Sequence, residues 1–267
     1  MCLNGKIKQA FVVLCLAGVS MLQAQMVGTP VGSKGQGSWS LACTGSFMNQ
    51  QVGNETAISQ RWLVKSTYGV VPWMDFVATL GTANLELDTP HNNVQDFEGK
   101  PRFAFGAGLT FTVKRETELQ PVGIFGGAHF LRFPAEGSFQ QIVSGQDVIY
   151  LRREYQMEHD WREYLLFGGV SYRLKRLRFY GCGVGWGVSR LEKKMEYHLN
   201  DITNEWDFID EESGEYQSEL WTGALAGIEF SFPKTGYMIS LEGLFYNTEN
   251  FILMVGIGQT GIGESGW

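Results

Sequence analysis

The chain has 267 residues and a mass of 29.9 kDa, enough for one large domain or two small ones. Its formal net charge of −7 argues against a polyanion such as nucleic acid as a partner. The content of 34 Gly, 8 Trp, 10 Tyr and 18 Phe against 7 Pro favours strands over helices.

The N-terminus reads as an export signal of residues 1–24, with Lys6 and Lys8 as its basic part, an apolar run over 10–21, and cleavage after Ala24. The apolar run is shorter than the ~20 residues that span a bilayer. Removing the segment takes two lysines and no acid, leaving 19 basic and 28 acidic residues. Cys2 and Cys15 leave with it, so Cys43 and Cys182 remain. They fall on strands not expected to be neighbours, and one disulfide in an oxidising compartment stays an open question.

A short segment, 25–35, precedes the folded part, expected over 36–260 with a tail at 261–267. No later stretch is apolar enough for a helical span, so a membrane protein built from this sequence has to be a closed barrel. Strands are expected around 39–48, 59–69 and 73–87. Over 102–113, Phe103, Phe105, Ala107, Leu109, Phe111 and Val113 alternate with Arg102, Ala104, Gly106, Gly108, Thr110 and Thr112. Tyr164, Leu166, Val170 and Tyr172 alternate with Glu163, Ser171 and Arg173. Over 177–190, Tyr180, Cys182, Val184, Trp186 and Val188 alternate with glycines 181, 183, 185 and 187, and the glycine face is expected to line a crowded lumen. The same period recurs at Ala224, Ala226, Ile228 and Phe230 against Glu219, Gly223 and Glu229. It recurs again at Tyr237, Ile239, Leu241 and Phe245 against Ser240 and Glu242, and at Phe251, Leu253, Val255 and Ile257 against Gly256 and Gly258.

Short links at 70–73, 114–119, 174–176 and 233–236 alternate with longer polar stretches at 50–57, 88–100, 134–160 and 193–216. Short turns on one side and long loops on the other are the habit of outer-membrane barrels. The expectation is an all-β, antiparallel up-and-down transmembrane barrel of about ten strands, or eight if the terminal hairpins are split differently. Tyr68, Trp73, Tyr172, Phe179 and Tyr237 flank the short turns as an interfacial girdle. The stretch 139–155 has strand-like patches that extend the outer half beyond the membrane.

The lumen-facing charges expected from this alternation are Arg61, Lys65, Asp75, Arg102, Glu163, Arg173, Glu219, Glu229 and Glu242. A near-balanced set of that kind suits an ion-pair network filling a narrow interior; a polar path for ions or small solutes is the alternative. Four histidines, His91, His129, His159 and His198, are available for hydrolytic chemistry, and only His159 beside Asp160 resembles a protease pair. The stretch 200–217 offers Asp207, Asp210, Glu211 and Glu212 as weak candidates for a divalent ion, with the self-repelling acidic loop as the plainer reading. No catalytic residue and no cofactor are assigned.

The signal segment, the hairpin string YGVVPWMDFVATLG and the glycine-alternating strands resemble the small bacterial outer-membrane barrels of the outer membrane protein A and opacity-protein kind. The resemblance covers nearly all of the mature chain. It implies residence in the bacterial outer membrane, contact with lipid and lipopolysaccharide, insertion by the barrel-assembly machinery, and an extracellular ligand or an envelope or host protein as partner. The function expected is non-enzymatic, in envelope structure or surface interaction through external loops. A narrow pore and a barrel hydrolase acting on lipid or peptide are the alternatives.

Overall fold

The computed structural model describes residues 35–53, 55–88, 97–117, 119–144, 150–200, 205–217, 221–232, 235–246 and 250–262. The expected signal segment, His91 and Glu219 lie outside them. Among the described residues thirteen strands occur: β1 (Trp39–Val52), β2 (Glu55–Val71), β3 (Met74–Ala83), β4 (Glu86–Asp88), β5 (Phe97–Glu98), β6 (Arg102–Lys114), β7 (Val122–Ser144), β8 (Tyr150–Leu174), β9 (Leu177–Asn200), β10 (Glu205–Gln217), β11 (Trp221–Phe232), β12 (Tyr237–Phe245) and β13 (Phe251–Ile262).

Ten of them close a ring. The order β1-β13-β12-β11-β9-β8-β7-β6-β3-β2 is antiparallel throughout, and β1 pairs with β2 to complete it. The short β4 carries the β3 side of β2 further out, pairing with Thr56–Ile58, and β5 pairs with β4. Beyond the ring, β10 lies on the outer half of β9, where it takes the side that β11 occupies lower down. Closure satisfies every ladder in the band that has no water to offer, which an open sheet cannot do.

Large apolar side chains stand outside. Leu80, Leu166, Val170 and Leu241 are each more than half exposed, and Leu253 and Ile257 about two-fifths. Aromatic residues bound this band at both ends. Near the short turns stand Trp39, Trp73, Tyr172, Phe179 and Tyr237, with Tyr68 half-buried against Trp39 and Trp73 stacked on Phe111 at 6.1 Å. A second belt, which the sequence reading did not find, holds Phe103, Phe105, Tyr164, Phe130, Phe47, Phe251 and Phe245. Trp39 and Phe47, Phe111 and Phe103, Tyr172 and Tyr164, and Tyr237 and Phe245 are each eight residues apart. At about 3.3 Å per residue and a tilt of about 40° that is roughly 20 Å of height, close to the ~25 Å apolar band of such barrels.

Three expectations are corrected. The stretch 50–57 is no long loop: β1 and β2 run together up to Val52 and Glu55, and Gly53, with a φ of 65°, makes the tight turn between them. The stretches 134–160 and 193–216 are strands for most of their length, because their alternation continues in water with charged and polar letters that a hydrophobic pattern does not register. The even-numbered face of β9, Tyr180 to Val188, points inward and its glycines point to the outside. Lipid demands no packed complement from the outer face, so glycine is tolerated there, while the ring must be filled from within. Inward glycines of neighbouring strands make the room. A Cβ on Gly227 would lie 2.3 Å from the Tyr180 ring opposite it, and one on Gly127 2.6 Å from Phe167, whereas Gly168 and Gly183 on the outer face have nothing within 4 Å.

Candidate functional site: the filled interior and the raised wall

The interior is built in layers. In the outer half, Arg61 of β2 and Glu163 of β8 meet across the ring, both fully buried. Arg61 Nη1 donates to Glu163 Oε2 at 2.9 Å and Nη2 donates to Oε1, while Arg61 Nε donates to Ser59 Oγ at 2.7 Å. The Trp161 indole, two residues along the inward face of β8, donates to Glu163 Oε1 at 2.5 Å. Phe133 places its ring 4.9 Å from the Arg61 guanidinium. A bidentate pair whose Nε donor is hydrogen-bonded as well is a geometry in which two buried charges are mutually compensated. Around it pack Leu131, Leu165, Trp186, Leu225, Leu244, Ile252 and Met254, all buried.

Lower down, Lys65 is buried within electrostatic reach of Glu242 and Asp75. At the short-turn mouth, Arg178 donates to Glu229 at 3.0 Å and to Glu116 at 2.7 Å, and the Ser231 hydroxyl donates to Glu229 at 2.9 Å. Glu116 comes from the β6–β7 turn and folds back into the barrel, its side chain 3% exposed.

Of the nine charges expected inside, Arg61, Lys65, Asp75, Glu163, Glu229 and Glu242 are buried in the interior. Arg102 is not: it stands at the outer rim, 44% exposed and paired with Glu136, where β6 has only just entered the sheet. Arg173 has inward parity but pairs with Arg178 one rung before the β8–β9 turn and is exposed. Glu219 falls outside the described residues. The reading missed Arg178 and Glu116. Taking the even face of β9 as lipid-facing hid Arg178, although Arg178 and Arg190, at the two ends of that same face, were the signal that it is not a lipid face. The interior is also more aromatic and aliphatic than a charge network alone, for the same reason. Cys43 faces outward on β1 and Cys182 inward on β9, and no disulfide joins these two thiols.

On β7, β8 and β9 the ladder does not stop at the upper belt. Phe130 pairs with Tyr164, and from there the β7–β8 pairing runs on to Ser144 and Tyr150, a further 14 residues on β7, or roughly 45 Å along the strand. With β10 these strands raise a four-stranded wall on one side of the mouth, while β12, β13, β1 and β2 end near the rim.

The outward face changes at one rung. Tyr164, Leu166, Val170 and Tyr172 give way to Arg162, Asp160 and Glu158 on β8, and Phe130 gives way to Arg132 on β7. Asp160 sits between Arg132, at 2.7 Å, and Arg162, at 2.6 Å. A shallow hollow of about 430 Å³ lies just above, lined by Pro134, Glu136, Glu158, Asp160, Lys193 and Glu215 among others.

The wall's inward face carries Arg190, bonded to Glu55 at 2.5 Å and Glu192 at 3.3 Å, Arg153 with Glu196 at 3.0 Å, and His198 with Glu196 at 2.8 Å. His159 is buried edge-on to Phe97, 4.4 Å between ring centres, and neither ring nitrogen has a hydrogen-bond partner. Glu192 stands 4.0 Å away, too far for a hydrogen bond. Burial, with Arg190 beside it, pushes the imidazole down to about 3, so it is neutral at pH 7. As neighbours on one strand, His159 points inward and Asp160 outward, so this pair is no catalytic dyad. His129 is buried with its ring 5.5 Å from Phe167. The acids Asp207, Asp210, Glu211 and Glu212 are exposed on strand β10 and alternate between its faces; among the described residues no group of three or more His, Cys, Asp or Glu is placed to hold a metal ion.

A closed ring, an apolar outer band and two aromatic belts define the class: a transmembrane antiparallel β-barrel of the outer-membrane kind, its interior filled by side chains. No family model and no curated protein matches the chain. Among solved structures it is similar to the translocator domain of the autotransporter NalP from Neisseria meningitidis, at 10% identity and a TM-score of 0.40 over 96% of this chain and 95% of that one. It is also similar to the transport unit of the autotransporter AIDA-I from Escherichia coli, at 12% identity and 0.35 over 92% and 95%. A looser likeness is to the outer membrane protein OpdK from Pseudomonas aeruginosa, at 8% and 0.18 over 84% and 98%. These likenesses carry no statement about activity.

Proposed function

We propose that this chain is a resident of the bacterial outer membrane that conducts nothing and acts, without enzymatic chemistry, through what its raised wall presents beyond the lipid. The observation that carries the reading is the pairing of Arg61, Glu163 and Trp161 across the barrel, packed round by Phe133, Trp186 and Leu165. Interiors of barrels this narrow are occupied by side chains in the absence of a ligand or channel. The second support is where the chain spends its polar surface. Four strands rise together into water on one side, and exposed backbone-positioned side chains on a rigid scaffold are where binding partners are met. The wall is then the external surface, the short turns are periplasmic, and an extracellular or envelope partner docks above the upper belt. The narrower kinship to outer membrane protein A and opacity-protein barrels, export through a cleaved signal peptide, and insertion by the barrel-assembly machinery belong to the same proposal.

Planar-bilayer recording of the purified, folded protein tests it. No stepwise conductance is expected from the unmodified chain. Reproducible single-channel steps, abolished by boiling the sample, would overturn the filled-barrel reading.

A further inference from the structure

The two ends of the barrel differ in charge. Above the upper belt, acids dominate: β10 alone carries Glu205, Asp207, Asp210, Glu211, Glu212 and Glu215 with no base. The short-turn end is the reverse. Lys114 ends β6 and Arg115 follows it, Arg173 is the last residue but one of β8, and Lys175 and Arg176 form the β8–β9 turn; all five are exposed. The acids described at that end are all withdrawn: Asp75 and Glu229 are buried, and Glu116 is taken inside by Arg178. Among the described residues of this end, the exposed charged side chains are these five bases.

These charges form one patch. The Arg173 amide donates to the Pro121 carbonyl at 2.9 Å, which ties the β8–β9 end to the β6–β7 turn. The Arg115 guanidinium reaches across to donate to the Pro72 carbonyl, beside Trp73. The patch also abuts the lower belt. Arg176 precedes Phe179 by three residues and Lys114 follows Phe111 by three, while Arg173, next to Tyr172 but with the inward parity of β8, borders the mouth. A cation one rung beyond an interfacial aromatic stands at the depth of lipid headgroups.

We infer that the short-turn end is a docking surface for the phosphate headgroups of anionic phospholipids in the leaflet it faces. Continuity with the lipid-facing band selects a membrane surface over a soluble acidic partner, because the same phospholipids whose chains touch Leu166 and Val170 present their phosphates at the level of Arg173 and Arg176. The inference rests on the reading of the chain as a membrane-spanning barrel. It adds which lipid chemistry the barrel gathers and which end it keeps there: basic turns on the phospholipid, acidic wall projecting away. Each basic residue at a charged membrane surface strengthens association by about fivefold.

The test is lipid selectivity. The folded protein is reconstituted in phosphatidylcholine vesicles, and the motionally restricted fraction of spin-labelled phosphatidylglycerol is compared with that of spin-labelled phosphatidylcholine. Phosphatidylglycerol is expected to associate at least about fivefold more strongly. Combining Lys114→Gln, Arg115→Gln, Arg173→Gln and Arg176→Gln is expected to bring the ratio near one, and about 0.5 M salt to do the same to the unmodified protein. Changing Arg102→Gln, Arg132→Gln and Lys193→Gln at the other end is expected to leave the ratio intact. Equal association of both lipids with the unmodified protein, or a preference that survives both salt and the four substitutions, overturns the inference. A fast-migrating unboiled gel band in every sample separates these outcomes from loss of the barrel itself; where the four-residue variant lacks that band, the salt experiment decides.

Discussion

The stretch of β8 below Tyr164 and the stretch above it are one strand with one pleat, yet they are written in two alphabets. Below, the outward letters are Tyr164, Leu166, Gly168, Val170 and Tyr172; above, they are Arg162, Asp160, Glu158, Gln156 and Glu154. The inward letters change less, since Trp161, Glu163, Leu165 and Phe167 are buried on both sides of the boundary. The solvent outside sets one face of a strand and the contents of the ring set the other, so the lipid boundary is a property of the outer face alone. Strand β7 changes on the paired rung, from Phe130 to Arg132.

The largest effect expected on that comparison comes from the inner face. Arg61→Met alone leaves Glu163 buried without its countercharge and is expected to cost roughly 3–5 kcal/mol, read as a fall in the denaturant midpoint of the unboiled band. Combining Arg61→Met with Glu163→Leu is expected to recover most of the loss; a double variant as unstable as the single one would mean the pair is not mutually compensating. Next come the glycines. Gly227→Ala drives a methyl into the Tyr180 ring and is expected to cost about 1–3 kcal/mol, whereas Gly183→Ala on the open outer face is expected to stay within about 0.5 kcal/mol. Equal effects at the two positions would reverse the assignment of inside and outside.

The wall supplies a pH prediction. Folding holds His159 near 3, below its unfolded value of about 6.5, so between those values the unfolded state binds more protons and stability rises with pH. Acidifying from pH 7 is therefore expected to loosen the wall, on the order of 1–2 kcal/mol near pH 5. Hydrogen exchange of β8 amides above Trp161 would report it, and His159→Phe should flatten the response. An unchanged pH profile in that variant counts against His159 as the cause.

The number of ring strands and the face assignments of β6, β8, β12 and β13 were legible because their outward letters are large and apolar and small or charged letters such as Gly106, Glu163, Glu242 and Gly256 break the other face, although Leu165, Phe167, Leu244, Ile252 and Met254 also point inward. Strand β9 inverts that rule: its bulk is inside and its glycines are outside, and alternation alone carries no sign. The wall was legible only as strand-like patches, since a sheet wet on both faces leaves a weak hydrophobic period. Glu116 was out of reach for another reason. A turn residue that folds back into the mouth shows no periodic signal at all, and only the register of the neighbouring strands brings it to Arg178.

The most direct test of the lipid boundary and of the barrel is an accessibility scan along the outer face of β8. In a background carrying Cys43→Ser and Cys182→Ser, spin labels would be placed one at a time through Glu158→Cys, Arg162→Cys, Leu166→Cys and Val170→Cys in lipid vesicles. Labels at 166 and 170 are expected to relax with oxygen dissolved in lipid and labels at 158 and 162 with a water-soluble nickel chelate, the crossover falling between 162 and 166. Labels at 166 and 170 that respond to the nickel chelate as strongly as 158 and 162 would contradict it, because the apolar face of β8 would then be facing water.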